Sequence, residues 1–315
     1  MDTSGSSILA RLASSDVDER RLALTEQEEL LDVASYQDLL PLLGDEDSTV
    51  RKLTIQLLEE LGDCRALPGL LQAAADPDLE VSSTAAAAVR EFRTSESVSA
   101  LLDGVANPAS QIRAAAIVAL RGAKDPRAQA ALTRAASDPA MEVRRAAVLA
   151  LGYLQANETV PVFQTAVNDS DDEVRRLAVD ALSQFKLTDI SPLVRAATDP
   201  EWRVRRQAIN ALSKHQNEES EQVLIKSLDD DRWEVAKEAM LGLGKLRAPV
   251  FQQLIPFFNH ELADMRIAAA AAAGEIGDPA FIPHLKARLA DPDTGVQKTA
   301  ARALRQIETT TKSGS

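Results

Sequence analysis

The sequence predicts an all-α protein in which about ten two-helix repeats stack into one α-α superhelix. Three observations support this fold class: a segment that recurs about every 31 residues, apolar residues spaced as on one face of a helix, and a composition of small apolar residues. Hydrophobic residues make up 45% of the 315 residues, but aromatic residues make up only 3%. Small apolar side chains let neighbouring helices pack closely.

The recurring segment marks the start of the second helix in each repeat. Its first apolar helical residue, which we call the anchor, recurs at intervals of 30 or 31 residues. The anchors are Val50, Val81, Ile112, Val143, Val174, Val204, Val235, Met265 and Val296. A constant interval of this length is typical of solenoid repeats. A further, degenerate copy is predicted to start near Ser14.

Each repeat is predicted to contain a short first helix and a longer second helix. Asp or Asn five residues before the anchor, often followed by Pro, indicates a turn and a helix N-cap. From the anchor onward, apolar residues follow helical spacing, as at Val143, Ala147, Ala150 and Leu151. No region alternates with a period of two, so no sheet is expected. The predicted first helices include residues 66–74, 128–135, 160–167, 223–228 and 281–289.

The organisation predicted along the chain is a lead-in over residues 1–13, a single solenoid over 14–308 and a disordered tail over 309–315. No basic start followed by an apolar run indicates a secretory signal, and no stretch approaches ~18 apolar residues. The single Cys64 excludes an internal disulfide. We therefore expect a cytoplasmic protein without membrane insertion. A net charge of -13 disfavours nucleic acid as a partner.

The pattern Asp-Pro-x-x-x-Val-Arg-x-x-Ala-x-x-Ala-Leu-Gly, seen from Asp138 to Gly152, resembles HEAT repeats of the short phycobilisome-lyase type. The resemblance extends from about Ser14 to Ile307. It implies an α-α superhelix whose second helices line the concave face. Proteins with similar repeats serve as scaffolds, chaperones, bilin lyase subunits and one iron-dependent hydroxylase, so the resemblance does not fix an activity.

The arginine that follows the anchor is predicted to be structural. Its guanidinium group is expected to reach a turn carboxylate or carbonyl group of its own or the adjacent repeat, because arginine pairs well with carboxylates. The residues predicted for this ladder are Arg113, Arg144, Arg175 and Arg205, with Asp138, Asp169 and Asp199.

A second column, two residues after the anchor, is predicted to point away from the core and is basic in four successive repeats. Together with nearby apolar residues and two tryptophans, it predicts a protein-binding surface. The alternatives are solvated surface arginines, and tryptophans that only cover their own helix starts. The predicted contact residues are Arg145, Arg176, Trp202, Arg203, Arg206, Trp233, Lys237, Leu149, Tyr153 and Leu241.

Two functions are consistent with these residues. The first is a non-catalytic scaffold or assembly factor that binds a protein on its concave face and needs no cofactor. The second follows from the resemblance: a bilin lyase subunit or chaperone that attaches a phycobilin to a phycobiliprotein cysteine, with a phycobiliprotein or a second lyase subunit as partner. Arg145, Arg176 and Arg206 would then pair with the pigment propionates.

No catalytic residue and no metal site are predicted. The deoxyhypusine hydroxylase family, which the repeats also resemble, holds two irons with several His-Glu pairs. This chain has one such pair, His260-Glu261, at a position where other repeats have Asp. We expect His260 to replace that Asp as a turn cap. Cys64 has no adjacent His that would activate it as a nucleophile.

Overall fold

The computed structural model describes residues 3–313, with side chains for residues 8–309, and helices are the only regular elements among them. The fold class is all-α, as predicted. The α-helices are α1 (Thr3–Leu12), α2 (Val17–Thr25), α3 (Gln27–Val33), α4 (Tyr36–Leu39), α5 (Ser48–Leu61), α6 (Leu67–Ala73), α7 (Leu79–Val89), α8 (Ser97–Val105), α9 (Ser110–Ala123), α10 (Gln129–Ala135), α11 (Met141–Leu154), α12 (Val160–Ala166), α13 (Asp172–Leu182), α14 (Ser191–Ala196), α15 (Trp202–Leu212), α16 (Glu218–Lys226), α17 (Trp233–Leu246), α18 (Phe251–Leu254), α19 (Ala263–Ile276), α20 (Ile282–Ala287) and α21 (Thr294–Ser313).

Ten helix pairs can be traced through the described residues, which agrees with the predicted number of repeats. The second helices are α2, α5, α7, α9, α11, α13, α15, α17, α19 and α21, and α3 is an additional helix between the first two pairs. The chain divides into two compact units, Met1–Val162 and Phe163–Ser315. Within each unit, second helices of successive repeats pack against one another, for example α5 on α7 and α17 on α19. Short 3₁₀ helices are Leu40–Gly44, Cys64–Ala66, Pro126–Ala128, Asn157–Thr159, Ser227–Asp229, Ile255–Asn259, Pro279–Phe281 and Arg288–Ala290.

The core lies along the predicted apolar face of the second helices. Val143, Ala147, Ala150 and Leu151 are fully buried, and equivalent residues are buried in the neighbouring repeats. Burial of this stripe stabilises the fold by about 25 cal/mol per Å² of apolar surface removed from water. Because a single helix pair cannot cover its own stripe, each repeat depends on its neighbours.

The turn before the second helix differs from the prediction. The N-cap is the residue three before the anchor, since Asp47 accepts the amide of Val50 at 3.0 Å and Asp171 accepts that of Val174 at 3.0 Å. The residue five before the anchor caps the turn instead: Asp45 accepts the amide of Asp47 at 2.9 Å. Its carboxylate also has a partner in another repeat, which explains why it lies outside the helix.

Three element boundaries also differ. Helix α16 begins before the predicted residue 223, because the side chain of Asn217 caps the amide of Ser220 at 2.8 Å. Helix α1 covers most of the predicted lead-in and packs on α2 as the first helix of the first pair. Helix α21 extends over residues 309–313 of the predicted disordered tail, and the Thr309 hydroxyl donates to a carbonyl oxygen one turn earlier. Residues 1–2 and 314–315 of the predicted lead-in and tail lie outside the described residues.

The arginine after the anchor bridges neighbouring repeats. Arg51 donates from Nε and Nη2 to both carboxylate oxygens of Asp76, 25 residues later, at 2.8 and 2.9 Å. Its Nη1 donates to the carbonyl oxygen of Asp45 in its own turn at 2.8 Å. The same bidentate pairing joins Arg113 to Asp138, Arg175 to Asp199, Arg205 to Asp230 and Arg266 to Asp291.

The remaining residues of the predicted ladder, Arg144 and Asp169, make the same hydrogen bonds within their own turns. Arg144 donates to the carbonyl oxygen of Asp138 at 3.0 Å. Asp169 accepts the amide of Asp171 at 2.9 Å, and its carbonyl oxygen accepts from Arg175. The pairing also affects ionisation, since the hydrogen bond from Arg266 lowers the pKa of Asp291.

In two of the repeats that another repeat follows, the ladder arginine is absent, and the turn residue that would face it is not an acid. Ser82 and Ala236 stand in place of arginine, and the residues at the facing position are Asn107 and His260. Both still cap their turns, by accepting the amide two residues later at 2.9 and 3.0 Å. A buried carboxylate without a counter-charge is strongly destabilising. Asp therefore occupies this turn where an arginine faces it, and His260 has the predicted role of a turn cap.

Helices α17, α19 and α21 approach one another closely through Gly and Ala. A Cβ atom on Gly244 would lie 2.9 Å from the Cα of Ala272, and a Cβ on Gly274 would lie 2.9 Å from the Cα of Ala303. Both contacts are with main-chain atoms, which cannot move aside as a flexible side chain does. The two glycines are nine residues after their anchors, so the same position sets the helix spacing twice.

We expect Gly274→Ala to lower the free energy of unfolding by about 1–3 kcal/mol, because the added methyl group overlaps the α21 backbone. Urea titration followed by circular dichroism measures the change. Gly122→Ala is the matched control: Gly122 is exposed on α9, where a Cβ would meet only the flexible side chain of Arg93. There the better helix propensity of Ala is expected to leave stability unchanged or raise it by up to about 1 kcal/mol. Equal losses in both variants would contradict the packing argument.

We expect Arg51→Ser to lower the free energy of unfolding by about 3–5 kcal/mol, since it leaves the buried Asp76 carboxylate unpaired. Adding Asp76→Asn recreates the Ser82 and Asn107 combination that the chain already contains. The double variant should therefore be more stable than Arg51→Ser, with a coupling free energy of about 1–3 kcal/mol in a double-mutant cycle. Additive losses would show that the two residues do not act as a pair.

Candidate protein-binding surface

The basic column two residues after the anchor lies at the helix surface, but several of its charges are paired. Lys52 binds Glu80 of the next repeat at 2.8 Å, and Lys237 binds Asp264 of the next repeat. Arg176 donates twice to Glu173 on its own helix, at 2.8 and 2.7 Å. The carboxylate of Glu173 raises the pKa of Arg176. Salt bridges therefore neutralise much of the predicted basic strip.

The acidic partner has a fixed position as well, immediately before an anchor. Lys52 and Lys237 each bind the acid at this position in the following repeat. Four of the nine anchors follow a residue that is not an acid, and among these only Arg203, before Val204, is basic. The acids at this position are Glu80, Glu142, Glu173, Glu234 and Asp264.

Three arginines surround the ring of Trp202, the first residue of α15. The guanidinium carbons of Arg203, Arg206 and Arg232 lie 5.0, 5.5 and 5.0 Å from its centroid. These are cation-π distances. Trp202 is half-buried, whereas all three arginines are exposed. The ring therefore supports the guanidinium groups, and the arginines form the outer surface.

The acidic neighbours of these arginines make few contacts with them. Glu201 meets Arg203 at 3.3 Å, and Glu234 meets Arg232 at 3.3 Å, each through one donor. Burial opposes ionisation of Glu234, but its own backbone amide and Arg232 lower its pKa below the ordinary value. Among the described contacts, Arg206 has the Trp202 ring and no hydrogen-bond acceptor. Three cations thus face two carboxylates.

Trp233 is the equivalent residue of the next repeat. Its ring is 38% exposed, and the Nζ of Lys237 lies 5.4 Å from the centroid. Leu241, two turns further along α17, is half-buried. Arg232 links the two tryptophans, since it precedes Trp233 in the chain and lies over the ring of Trp202. We call Trp202, Arg203, Arg206, Arg232, Trp233 and Lys237 the tryptophan-arginine patch.

The other predicted contact residues lie on α11, in the unit Met1–Val162. Tyr153 is 56% exposed, and the guanidinium of Arg121 lies 5.3 Å from its ring centroid. Arg145 and Leu149 are half-buried on the same helix. The tryptophan-arginine patch belongs to the unit Phe163–Ser315. The residues predicted as one surface therefore divide between the two units.

Among the exposed apolar residues that sequence reasoning missed, two share one position in the repeat. Leu79 is 81% exposed and Met141 is 50% exposed. Both occupy the position two before the anchor, the position of the two tryptophans. The sequence signal was present in that column, which holds a large apolar residue in four repeats and a small or polar residue in the others. Arg232 is not among the predicted contact residues, although its guanidinium group lies over the Trp202 ring.

Within residues 3–313, no group of three or more His, Cys, Asp or Glu side chains is arranged to hold a metal ion. The thiol of Cys64 is half-buried and reduced. None of the described helices combines the length and apolar character that crossing a membrane requires.

Comparison with known proteins gives one family match. A family model described as HEAT repeats matches residues 5–90, 36–121, 98–183, 161–244 and 221–305. The model covers HEAT repeats in general and carries no lyase subtype. No curated protein sequence matches the chain.

Solved structures match the chain at low sequence identity. An engineered protein aligns with 96% of this chain and 98% of its own length, at 19% identity and a TM-score of 0.53. YibA of Escherichia coli aligns with 94% of this chain and 98% of its own length, at 20% identity and a TM-score of 0.57. A chain in a structure of Kap95p bound to RanGDP aligns with 97% of this chain and 48% of its own length, at 12% identity and a TM-score of 0.63. These likenesses concern the fold alone.

The support that Trp202 gives to the arginines can be measured by fluorescence. The chain has two tryptophans, so Trp233→Phe leaves Trp202 as the single emitter. In that background we expect Arg206→Gln to increase acrylamide quenching, because one cation over the ring is lost. The free energy of unfolding should fall by about 0.5–1 kcal/mol. Arg134→Gln, an exposed arginine on α10, is the control. Unchanged quenching in Arg206→Gln would show that the side chain does not cover the ring in solution.

Proposed function

The chain belongs to the HEAT-repeat family, and from this premise we propose that it is a non-catalytic scaffold or assembly factor that binds a protein partner through its second helices. The observation that carries the proposal is the tryptophan-arginine patch on α15 and α17. Exposed Trp and Arg side chains in one cluster are typical of the residues that dominate binding energy at protein interfaces.

The positions of these residues support a role in binding rather than in stacking. The apolar core uses the anchor and the residues four, seven and eight later, and the ladder uses the residue directly after the anchor. The patch uses positions three, two and one before the anchor and two after it. Repeats in which these positions hold Ser, Asp or Ala stack in the same way. Stacking therefore does not require tryptophan or arginine there.

A protein is the partner class that suits the surface best. The patch combines aromatic rings, aliphatic arginine stems and guanidinium donors, which match a mixed polar and apolar protein surface. The net charge of -13 would repel nucleic acid and anionic membranes over most of the molecule. A cytoplasmic location is part of the same proposal.

An affinity experiment tests the surface. The wild-type protein and Arg206→Glu/Trp233→Ala are immobilised, and proteins captured from the native host extract are quantified by mass spectrometry. We expect the wild type to retain one or a few proteins in near-stoichiometric amounts. The double variant should retain at least about tenfold less of them, as expected when two hot-spot residues are lost. Calorimetry with the purified partner then gives the affinity of each variant.

The matched control carries Arg195→Glu and Val194→Ala on α14, a first helix of the same unit. Retention of the partner by this control, together with loss in the second-helix variant, would support the proposal. Loss in the control with retention in the second-helix variant would overturn it. Capture of a phycobiliprotein, with a red shift of added phycocyanobilin absorption, would favour the bilin lyase alternative instead.

A further inference from the structure

One charge reversal distinguishes the repeat of Trp202 from the other repeats. In the register described above, the basic residue two after an anchor meets an acid immediately before the next anchor, as Lys52 meets Glu80 at 2.8 Å. The residue before Val204 is Arg203, so the preceding repeat finds a positive charge at that position. Arg176, the basic residue of the preceding repeat, instead pairs with Glu173 of its own helix. The reversal removes a stabilising pair from the stack and adds a cation to the surface.

The cations gathered at this point are held in place but poorly neutralised. Arg203, Arg206 and Arg232 share the Trp202 ring, which limits the freedom of their side chains. The side chains of Arg203 and Arg232 are 60% and 45% exposed, and each has one 3.3 Å contact to an acid. In contrast, the ladder arginines make bidentate contacts at 2.6–2.9 Å. The donors of the patch are therefore available to an incoming acceptor.

We propose that the tryptophan-arginine patch binds an acidic segment of a partner protein, whose Asp or Glu carboxylates take the positions that the charge reversal leaves without an acid. This inference rests on the proposed function and specifies the chemistry of the partner. Arginine recognises carboxylates through paired N–H donors, which gives direction as well as charge attraction. Trp233, 38% exposed beside Arg232, provides an apolar contact for the aliphatic part of the same segment.

A run of carboxylates fits better than a single anionic group. The three guanidinium groups surround one ring at 5.0–5.5 Å from its centroid, and two of them come from α15 while the third precedes α17. Like charges repel, so the three cations are best satisfied by separate acceptors. The overall charge of -13 opposes unspecific attraction of acidic peptides. Binding of such a peptide therefore requires a local positive site.

The direct test uses a fluorescein-labelled decaglutamate peptide and the full-length protein at low ionic strength. We expect the fluorescence anisotropy to rise on titration with the wild type, and the affinity to fall as salt is added. Arg203→Glu introduces the acid that five other repeats have at this position. Its affinity for decaglutamate should be at least about tenfold lower, because one attraction becomes a repulsion, while its melting temperature should stay equal or rise.

Controls separate local recognition from net charge and from folding. Arg195→Glu changes the net charge equally but lies on α14, so its affinity should match the wild type. Trp202→Ala keeps every charge but removes the support for the arginines, so its affinity should fall. A labelled decaglutamine peptide should not bind. Failure of decaglutamate to bind the wild type, or equal weakening by Arg203→Glu and Arg195→Glu, would overturn the inference.

The peptide titration and the partner-capture experiment can fail independently, so they test the two proposals separately. If decaglutamate fails to bind, but capture of the partner still depends on Arg206 and Trp233, the scaffold proposal stands and the acidic-segment inference is wrong. If neither the peptide nor the partner depends on the patch, both proposals are wrong.

Discussion

The bidentate Arg-Asp pair between neighbouring repeats is the interaction on which the rest of the structure depends. Apolar burial is non-directional, so it selects the register of one helix pair on the next less strictly than paired hydrogen bonds do. Arg51 fixes the register, since it binds the turn carbonyl of its own repeat and the carboxylate of Asp76 in the following one. Where Arg266 binds both carboxylate oxygens of Asp291, for example, Gly274 lies close to the backbone of Ala303. The remaining surface positions are then free to vary.

The two positions without an Arg-Asp pair show how strictly burial governs this pair. Where arginine is replaced by Ser82 or Ala236, the facing turn residue is Asn107 or His260, and both keep the turn hydrogen bond. The turn needs an acceptor but not a charge, whereas arginine needs a carboxylate. Separating these two requirements explains why the turn position is Asp in most repeats without being a helix cap. It also explains why the lone His-Glu pair of the sequence serves in a turn.

The period, the core and the ladder could be predicted from the sequence because each repeats in register along one chain. Anchor spacing located the second helices, and helical periodicity selected residues such as Val143 and Leu151 that are buried. The N-cap at Asp47 was missed because two acceptors two residues apart look alike in sequence. The pairing of Arg176 with Glu173 and the position of Arg232 over Trp202 depend on side-chain directions between helices. Aligning the column before the anchors would, however, have shown the exception at Arg203.

The ladder and the tryptophan-arginine patch are physically connected. Arg205 binds Asp230 through two donors, at 2.7 Å each, and Asp230 in turn accepts the amide of Arg232 at 2.9 Å. The Arg205-Asp230 pair between these repeats therefore also fixes the backbone from which Arg232 reaches the Trp202 ring. A site positioned by hydrogen bonds within the folded chain loses little freedom when a ligand binds, which favours affinity. The stacking of the repeats thus supplies the rigidity that recognition at their surface requires.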